Sequence, residues 1–175
     1  MSMSAGQQSV YLNGEVMPLA EATVSVLDRG FLYGDGVYEV IPVFGTRPLR
    51  LADHLRRLQH SLDRISLKNP LTDNAWEAEF NHLLEKNPGE ERAIYLQITR
   101  GAYSKRDLKI PSEIKPTVFI MTLPVEPIDI AILEKGIETV TIEDFRWSAC
   151  DIKSTSLMAN VMLRQQATQY GVVDA

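Results

Sequence analysis

Lys153 is the residue in this chain best suited to covalent chemistry. It falls in the run Phe145-Arg146-Trp147-Ser148-Ala149-Cys150-Asp151-Ile152-Lys153-Ser154-Thr155, between a strand-like stretch and the first turn of a helix expected from Ser156. The positive end of a helix macrodipole disfavours an ammonium group, and hydroxyl or carboxylate side chains usually hold such positions. An amine kept there and partly desolvated falls from its free pKa of about 10.4 toward neutrality and becomes a usable nucleophile. The position by itself also suits the commoner case of a solvated lysine on a loop.

Other segments could bind what such an amine attacks. In Gly34-Asp35-Gly36-Val37-Tyr38-Glu39-Val40 the glycines leading into a strand allow backbone to approach a ligand closely, although an ordinary glycine turn has the same composition. Position 39 is Glu where a dinucleotide fingerprint needs its third glycine, which excludes that motif. His54, Arg57 and Ser61 recur at helical spacing as a polar row beside a leucine stripe. An arginine there either binds phosphate or carboxylate with its planar fork or is simply solvated. The run from Arg100 to Leu108 follows a clean strand and is too polar for a core, as expected of a binding loop. The three histidines, His54, His60 and His82, have no metal-ligand spacing, and neither a Gly-x-Ser-x-Gly elbow nor a Gly-Lys-Ser/Thr phosphate loop occurs.

These groups need a scaffold, and the hydrophobic pattern supplies one. Val10-Tyr11-Leu12-Asn13-Gly14-Glu15-Val16-Met17 reads as a hairpin about Asn-Gly. Val24 and Val26 alternate with polar neighbours, Gly30, Gly34 and Gly36 break the pattern, and a strand runs from Val37 to Phe44 before Gly45-Thr46 turns it back. Leu51, Leu55, Leu58, Leu62 and Ile65 mark one helix; Asp73 as a cap, with Trp76, Phe80, Leu83 and Leu84, marks another that ends near Asn87-Pro88-Gly89. Ile94 to Thr99 and Thr117 to Leu123 alternate as strands, and Pro124 and Pro127 bracket a linker. A helical piece from Ile128 to Lys135 follows, then an alternating run from Ile137 to Ile142 and a helix from Ser156 to Tyr170 stopped by Gly171. Val172-Val173-Asp174-Ala175 reads as the start of a strand with nothing to pair against.

The bulk numbers bound the answer. With 175 residues, 45% of them hydrophobic, the chain can bury a globular core as one domain or as a small domain plus part of another. A formal charge of -5, without long single-sign blocks, gives no footprint for nucleic acid or anionic lipid. Cys150 is the only cysteine, so a reducing compartment is favoured. No segment approaches the apolar length that spans a bilayer and residues 1–9 lack a signal-peptide pattern, so a cytoplasmic protein is expected.

Taken together, Leu27-Asp28-Arg29-Gly30-Phe31-Leu32-Tyr33-Gly34-Asp35-Gly36-Val37-Tyr38-Glu39, His54-Leu55-Arg56-Arg57-Leu58, and Arg146-Trp147 with Cys150-Asp151-Ile152-Lys153-Ser154 resemble the class IV pyridoxal-phosphate aminotransferases, most closely the D-amino acid (D-alanine) branch. The likeness covers essentially the whole chain in order. It implies pyridoxal 5'-phosphate as cofactor, bound by Lys153 as a Schiff base, with the freed amine then moving the substrate proton. Only a primary amine makes an exchangeable Schiff base and can also serve as a base. The resemblance further implies that Arg57 holds the cofactor phosphate and that Tyr38 and Arg106 face the substrate carboxylate. His54 would support the group that contacts the pyridine nitrogen, and Glu39 would likewise stand behind the groups that touch the cofactor. Two departures accompany it: D-selective relatives commonly carry a histidine where Leu108 stands, and relatives continue past residue 175 into the part of the larger domain that contacts the pyridine nitrogen and more of the phosphate.

The implied fold is an α+β/α/β, two-domain architecture. It comprises a small domain over residues 1–123 with a mainly antiparallel sheet, a linker over 124–128, and the beginning of a larger domain over 129–175. The implied reaction is transamination between a D-amino acid, such as D-alanine, and a 2-oxo acid, by a homodimer. Aminodeoxychorismate lyase and branched-chain aminotransferase share the lysine and the phosphate arginine and stand as alternatives, as does a truncated, non-catalytic folding or dimerisation unit.

Overall fold

A computed structural model describes residues 8–126 and 129–174. Its centre is one antiparallel sheet, and its strands arise where the sequence alternates. β1 (Ser9–Leu12) and β2 (Glu15–Pro18) form the expected hairpin, with Asn13 and Gly14 at φ of 55° and 105°, the left-handed values a tight turn demands. β3 (Gly36–Phe44) pairs along its whole length with β5 (Glu91–Thr99), which pairs with β6 (Thr117–Pro124). β4 (Arg47–Pro48) reaches only Val43 and Phe44, so the first half of β3 has an open outer edge. Among the described residues the strand order is β2-β1-β6-β5-β3-β4.

Period two decides what each face of β3 meets. Val37, Ile41 and Val43 point into the core with Ile94, Leu96, Ile98 and Ile120 from the neighbouring strands. Against this face lie α2 (Leu51–Arg64) and α3 (Asp73–Lys86), which contribute Leu55, Leu58, Leu62, Trp76, Phe80 and Leu83. Glu39 shares the same face and is 1% exposed, so a carboxylate is buried beneath α2. Tyr38 and Val40 occupy the other face, half-buried.

Several local expectations change. Val24 and Val26 lie on an exposed loop, not a strand. Where glycines suggested only a break, a one-turn helix forms: α1 (Arg29–Tyr33), begun by Asp28, whose side chain accepts from the Gly30 N–H at 2.7 Å, and ended by Gly34 at φ 67°. Thr72, not Asp73, caps α3 by accepting from the Ala75 N–H. Arg100, expected on a solvated loop, is 3% exposed.

Near the C-terminal end, α4 (Ile130–Lys135) is capped by Asp129, while Pro127 and Ile128 lie outside the described residues. The run 137–142 forms no regular strand, but Thr139 makes a parallel bridge with Asp174, and the Val173 N–H donates to the Glu138 carbonyl. The 172–174 segment therefore has a partner after all, supplied by that alternating run; Ala175 lies outside the described residues. α5 (Met158–Gln169) begins five residues beyond Lys153, so the lysine is outside its first turn and the macrodipole argument does not apply to it. Among the described residues no helix is long and apolar enough to cross a membrane.

Candidate active site

The open outer edge of β3 is where Lys153 docks. Val37 and Ser154 form an antiparallel bridge, the Tyr38 N–H donates to the Lys153 carbonyl at 3.0 Å, and the Thr155 N–H donates to the Gly36 carbonyl at 3.0 Å. This register sets Lys153 opposite Tyr38, and directly opposed residues in an antiparallel pair share a face. Lys153 Nζ accordingly lies over the Tyr38 ring, 3.9 Å from its centroid, where the π face attracts an ammonium group. Tyr38 stacks in turn on Tyr95, which meets Phe119 edge-on, extending an aromatic row across β3, β5 and β6.

The close approach of β5 and of segment 154–156 explains the glycines before β3. A Cβ on Gly36 would sit 2.8 Å from the Ile98 carbonyl oxygen and 3.3 Å from Thr155 Oγ1, and one on Gly34 would meet Ser156 Oγ at 2.5 Å. Gly34 thus admits the chain's own lysine-bearing segment, while Gly36 is required first by the β5 backbone and then by Thr155. Gly36→Ala is expected to cost about 1–3 kcal/mol through overpacking, measured as a fall in Tm of roughly 2–12 °C.

Helix α2 secures the same segment from the other side. Ser61, 1% exposed, accepts the Lys153 N–H on its Oγ at 3.2 Å. One position earlier and three later, His60 and Arg64 pair with Asp151 at 3.0 and 3.2 Å. The hydrogen bond from His60 chiefly lowers the Asp151 carboxyl below its usual range, against a smaller opposing effect of burial and aided by the Arg64 charge. Of the polar row read from the sequence only Ser61 joins this clasp on residues 151–153; His60 and Arg64, outside that row, complete it.

Arg57 and His54, on the same helix, converge on Glu39. Arg57 donates through Nε and Nη2 to the two Glu39 oxygens at 2.7 and 2.6 Å, a bidentate pair, while His54 Nδ1 lies 2.8 Å from Oε2. The Glu39 hydrogen bond outweighs desolvation and holds the Arg57 guanidinium protonated more firmly than usual. Glu39 and His54 fix the fork; Nη1 has no partner among the described residues, and the side chain is 48% exposed.

Tyr38, Arg57 and Lys153 line one cleft of about 550 Å³, together with Trp147, Ser154 and Asn160 among others. That volume suits a cofactor-sized molecule. The donor set fits pyridoxal phosphate: an amine for the aldehyde, a fixed guanidinium with a free N–H edge for phosphate, and an aromatic wall beside the amine. Three sequence-derived site residues are therefore brought together and two support them. Arg106 is not among them; it is exposed, and its guanidinium lies over the Tyr33 ring, 5.6 Å from the centroid.

Sequence reasoning missed a buried hub beside this site. Asp35 Oδ2 accepts from Arg29 Nε and Arg100 Nε, both at 2.8 Å, and the arginine side chains are 5% and 4% exposed. Arg100 also donates to the Ile65 carbonyl at 2.7 Å, locking β5 to the end of α2. The only available signal was an acidic residue between two glycines, which reads equally as a turn.

Comparison with known proteins agrees with this geometry. A family profile described as amino-transferase class IV matches residues 36–175. A D-alanine aminotransferase of Staphylococcus aureus is 36% identical over 170 residues, covering 96% of this chain and 59% of that protein. The Bacillus licheniformis D-alanine aminotransferase is 32% identical over 95% of this chain and 58% of its own length. Among solved structures, the T.th. branched-chain amino acid aminotransferase with pyridoxamine 5'-phosphate superposes at a TM-score of 0.86, with 20% identity, 97% of this chain covered and 58% of that one. The Thermoproteus uzoniensis branched-chain aminotransferase with norvaline gives a TM-score of 0.80 and 23% identity over 95% and 58% of the two chains. The chain thus spans somewhat under three fifths of the relatives it matches, with the antiparallel sheet and helices of their fold. Its sequence and architecture together place it in the class IV aminotransferase family.

Proposed function

We propose that the protein acts as a pyridoxal-phosphate-dependent transaminase that moves an amino group between a D-amino acid, such as D-alanine, and a 2-oxo acid. The observation that carries this reading is the convergence of Lys153, Tyr38 and Arg57 on one cleft, from an edge segment, a strand and a helix far apart in sequence. When bound, the cofactor supplies the aldehyde that takes up the amino group and the ring that delocalises the electrons released at Cα.

The chain's residues do the rest. Lys153 Nζ is the amine that would hold the cofactor aldehyde, and as a free amine it would take the proton from the substrate Cα; the Tyr38 ring limits where the amine can travel. Arg57 anchors the phosphate through its free edge, and Glu39 with His54 keeps it aimed. The Tyr38 hydroxyl stands beside the substrate carboxylate. Arg106 lies outside the cleft of its own chain; in this reading the protein is a homodimer, and Arg106 binds that carboxylate in the cleft of a second copy. Residues 129–175 begin the larger of two domains, joined by the segment 124–128.

A branched-chain substrate is the second reading, favoured by the solved structures above; their identities below 25% speak for the fold alone, whereas D-alanine aminotransferases share up to 36%. A panel of amino donors offered to the intact protein with 2-oxoglutarate separates the two. Turnover of D-alanine with little turnover of L-leucine or L-valine supports the first, and the reverse replaces it with the second.

A further inference from the structure

Arg106 can serve a substrate only if its loop is held still, and the structure shows what holds it. Arg29 is the first residue of α1 and almost fully buried, yet its guanidinium reaches out of the helix toward the 105–109 segment. Nε donates to Asp35 at 2.8 Å, Nη1 to the Asp107 carbonyl at 2.6 Å, and Nη2 to the Leu108 carbonyl at 3.3 Å. The Arg29 N–H donates to the Gly101 carbonyl at 2.9 Å, where the loop begins. Within the loop, the Asp107 N–H turns back to the Lys105 carbonyl at 3.1 Å, so Arg106 sits inside a turn whose next two carbonyls are pinned. The Tyr33 ring lies under both guanidiniums, 4.9 Å from Arg29 and 5.6 Å from Arg106.

We infer that Arg29 and Tyr33 are positioning residues for Arg106, setting the carboxylate-binding loop without touching substrate. The guanidinium geometry is required because one rigid fork must satisfy a carboxylate and two separate carbonyls at once; an ammonium is a single point charge that cannot span them. The same fork is tied through Asp35 to the turn between Gly34 and Gly36, whose carbonyls accept from Thr155 at 3.0 Å (Oγ1 to Gly34 and N–H to Gly36). The loop that orients the substrate and the edge that seats the amine therefore share one rigid turn.

This inference rests on the reading of Arg106 as the carboxylate ligand, and the test separates the two. In the intact holoenzyme, Arg29→Lys is expected to raise KM for both the amino acid and the 2-oxo acid about tenfold, with kcat at saturation within about twofold, because binding common to ground and transition states is lost. Borohydride reduction should label Lys153 as fully as before. Arg29→Lys introduced into Arg106→Ala should add almost nothing to KM, since the two residues act through one contact. Tyr33→Leu should move KM in the same direction, and it decides the matter alone if Arg29→Lys does not fold. Should Arg106→Ala raise KM while Arg29→Lys and Tyr33→Leu leave it unchanged, or should the effects simply add, the inference is overturned. Should Arg106→Ala itself leave KM unchanged, the carboxylate reading falls and takes the inference with it.

Discussion

Lys153→Ala in the intact protein is expected to reduce transaminase turnover by a factor on the order of 10³ or more while leaving the fold in place. The size follows from the roles lost together: covalent capture of the cofactor and proton transfer at Cα, the second alone worth roughly 10²–10⁴. The fold survives because the segment is held by its backbone, through Tyr38, Gly36 and Ser61, and the lysine side chain makes no hydrogen bond in that clasp. Lys153→Arg is expected to be as inactive despite keeping the charge, because a guanidinium forms no Schiff base and stays protonated. Steady-state rates with circular dichroism on the same samples check this; an alanine variant within tenfold of the parent rate contradicts it.

The largest effect on stability is expected at Asp35. Asp35→Ala leaves the guanidiniums of Arg29 and Arg100 facing each other in a nearly closed interior, and stripping one partner from a buried ion pair costs about 3–5 kcal/mol. In a chain of this size that is a fall in Tm of roughly 6–20 °C. Asp53→Ala is the control: its pairs with Arg50 and Arg56 are solvent-exposed, and the midpoint should barely move.

The same carboxylate gives a pH signature. Burial alone would raise the Asp35 pKa, but hydrogen bonds from Arg100 and Arg29, with their charges, win and leave it lowered. A group whose folded pKa is depressed contributes stability above its unfolded value, near 3.9, and loses it as pH falls through the folded value. The unmodified protein should therefore lose part of its stability below about pH 4. Asp35→Asn should lack that portion, so the two denaturation midpoints converge on acidification; a constant gap from neutral to acid pH would contradict the assignment.

How much of this was legible in the sequence depends on the range of each interaction. The Asn13-Gly14 hairpin, the leucine stripe of α2 and the alternation of β3 and β5 are local patterns, and they appear where the periodicity puts them. α1 was hidden because a five-residue helix shows no repeat; its cap at Asp28 and its stop at Gly34 fix it. The lysine seat was hidden for another reason. Val37 and Ser154 are joined across the fold, and nothing near residue 154 announces an added edge to β3. The roles of Lys153, Arg57 and Tyr38 came from family resemblance, whereas helix-dipole reasoning set the lysine just ahead of a helix expected from Ser156 that in fact starts at Met158. The hub of Arg29, Asp35 and Arg100 escaped because charged residues are usually solvated, and only the packed structure shows these three withdrawn together.

The central claim is that the Lys153 amine, held over Tyr38 beside the fixed Arg57 fork, captures an aldehyde cofactor. Incubating the intact protein with pyridoxal 5'-phosphate, reducing with borohydride and mapping the modified peptide by mass spectrometry tests it most directly. The account predicts a single phosphopyridoxyl adduct on Lys153, weakened when Arg57 is changed to Ala. Labelling spread over surface lysines with residue 153 unmodified would contradict it.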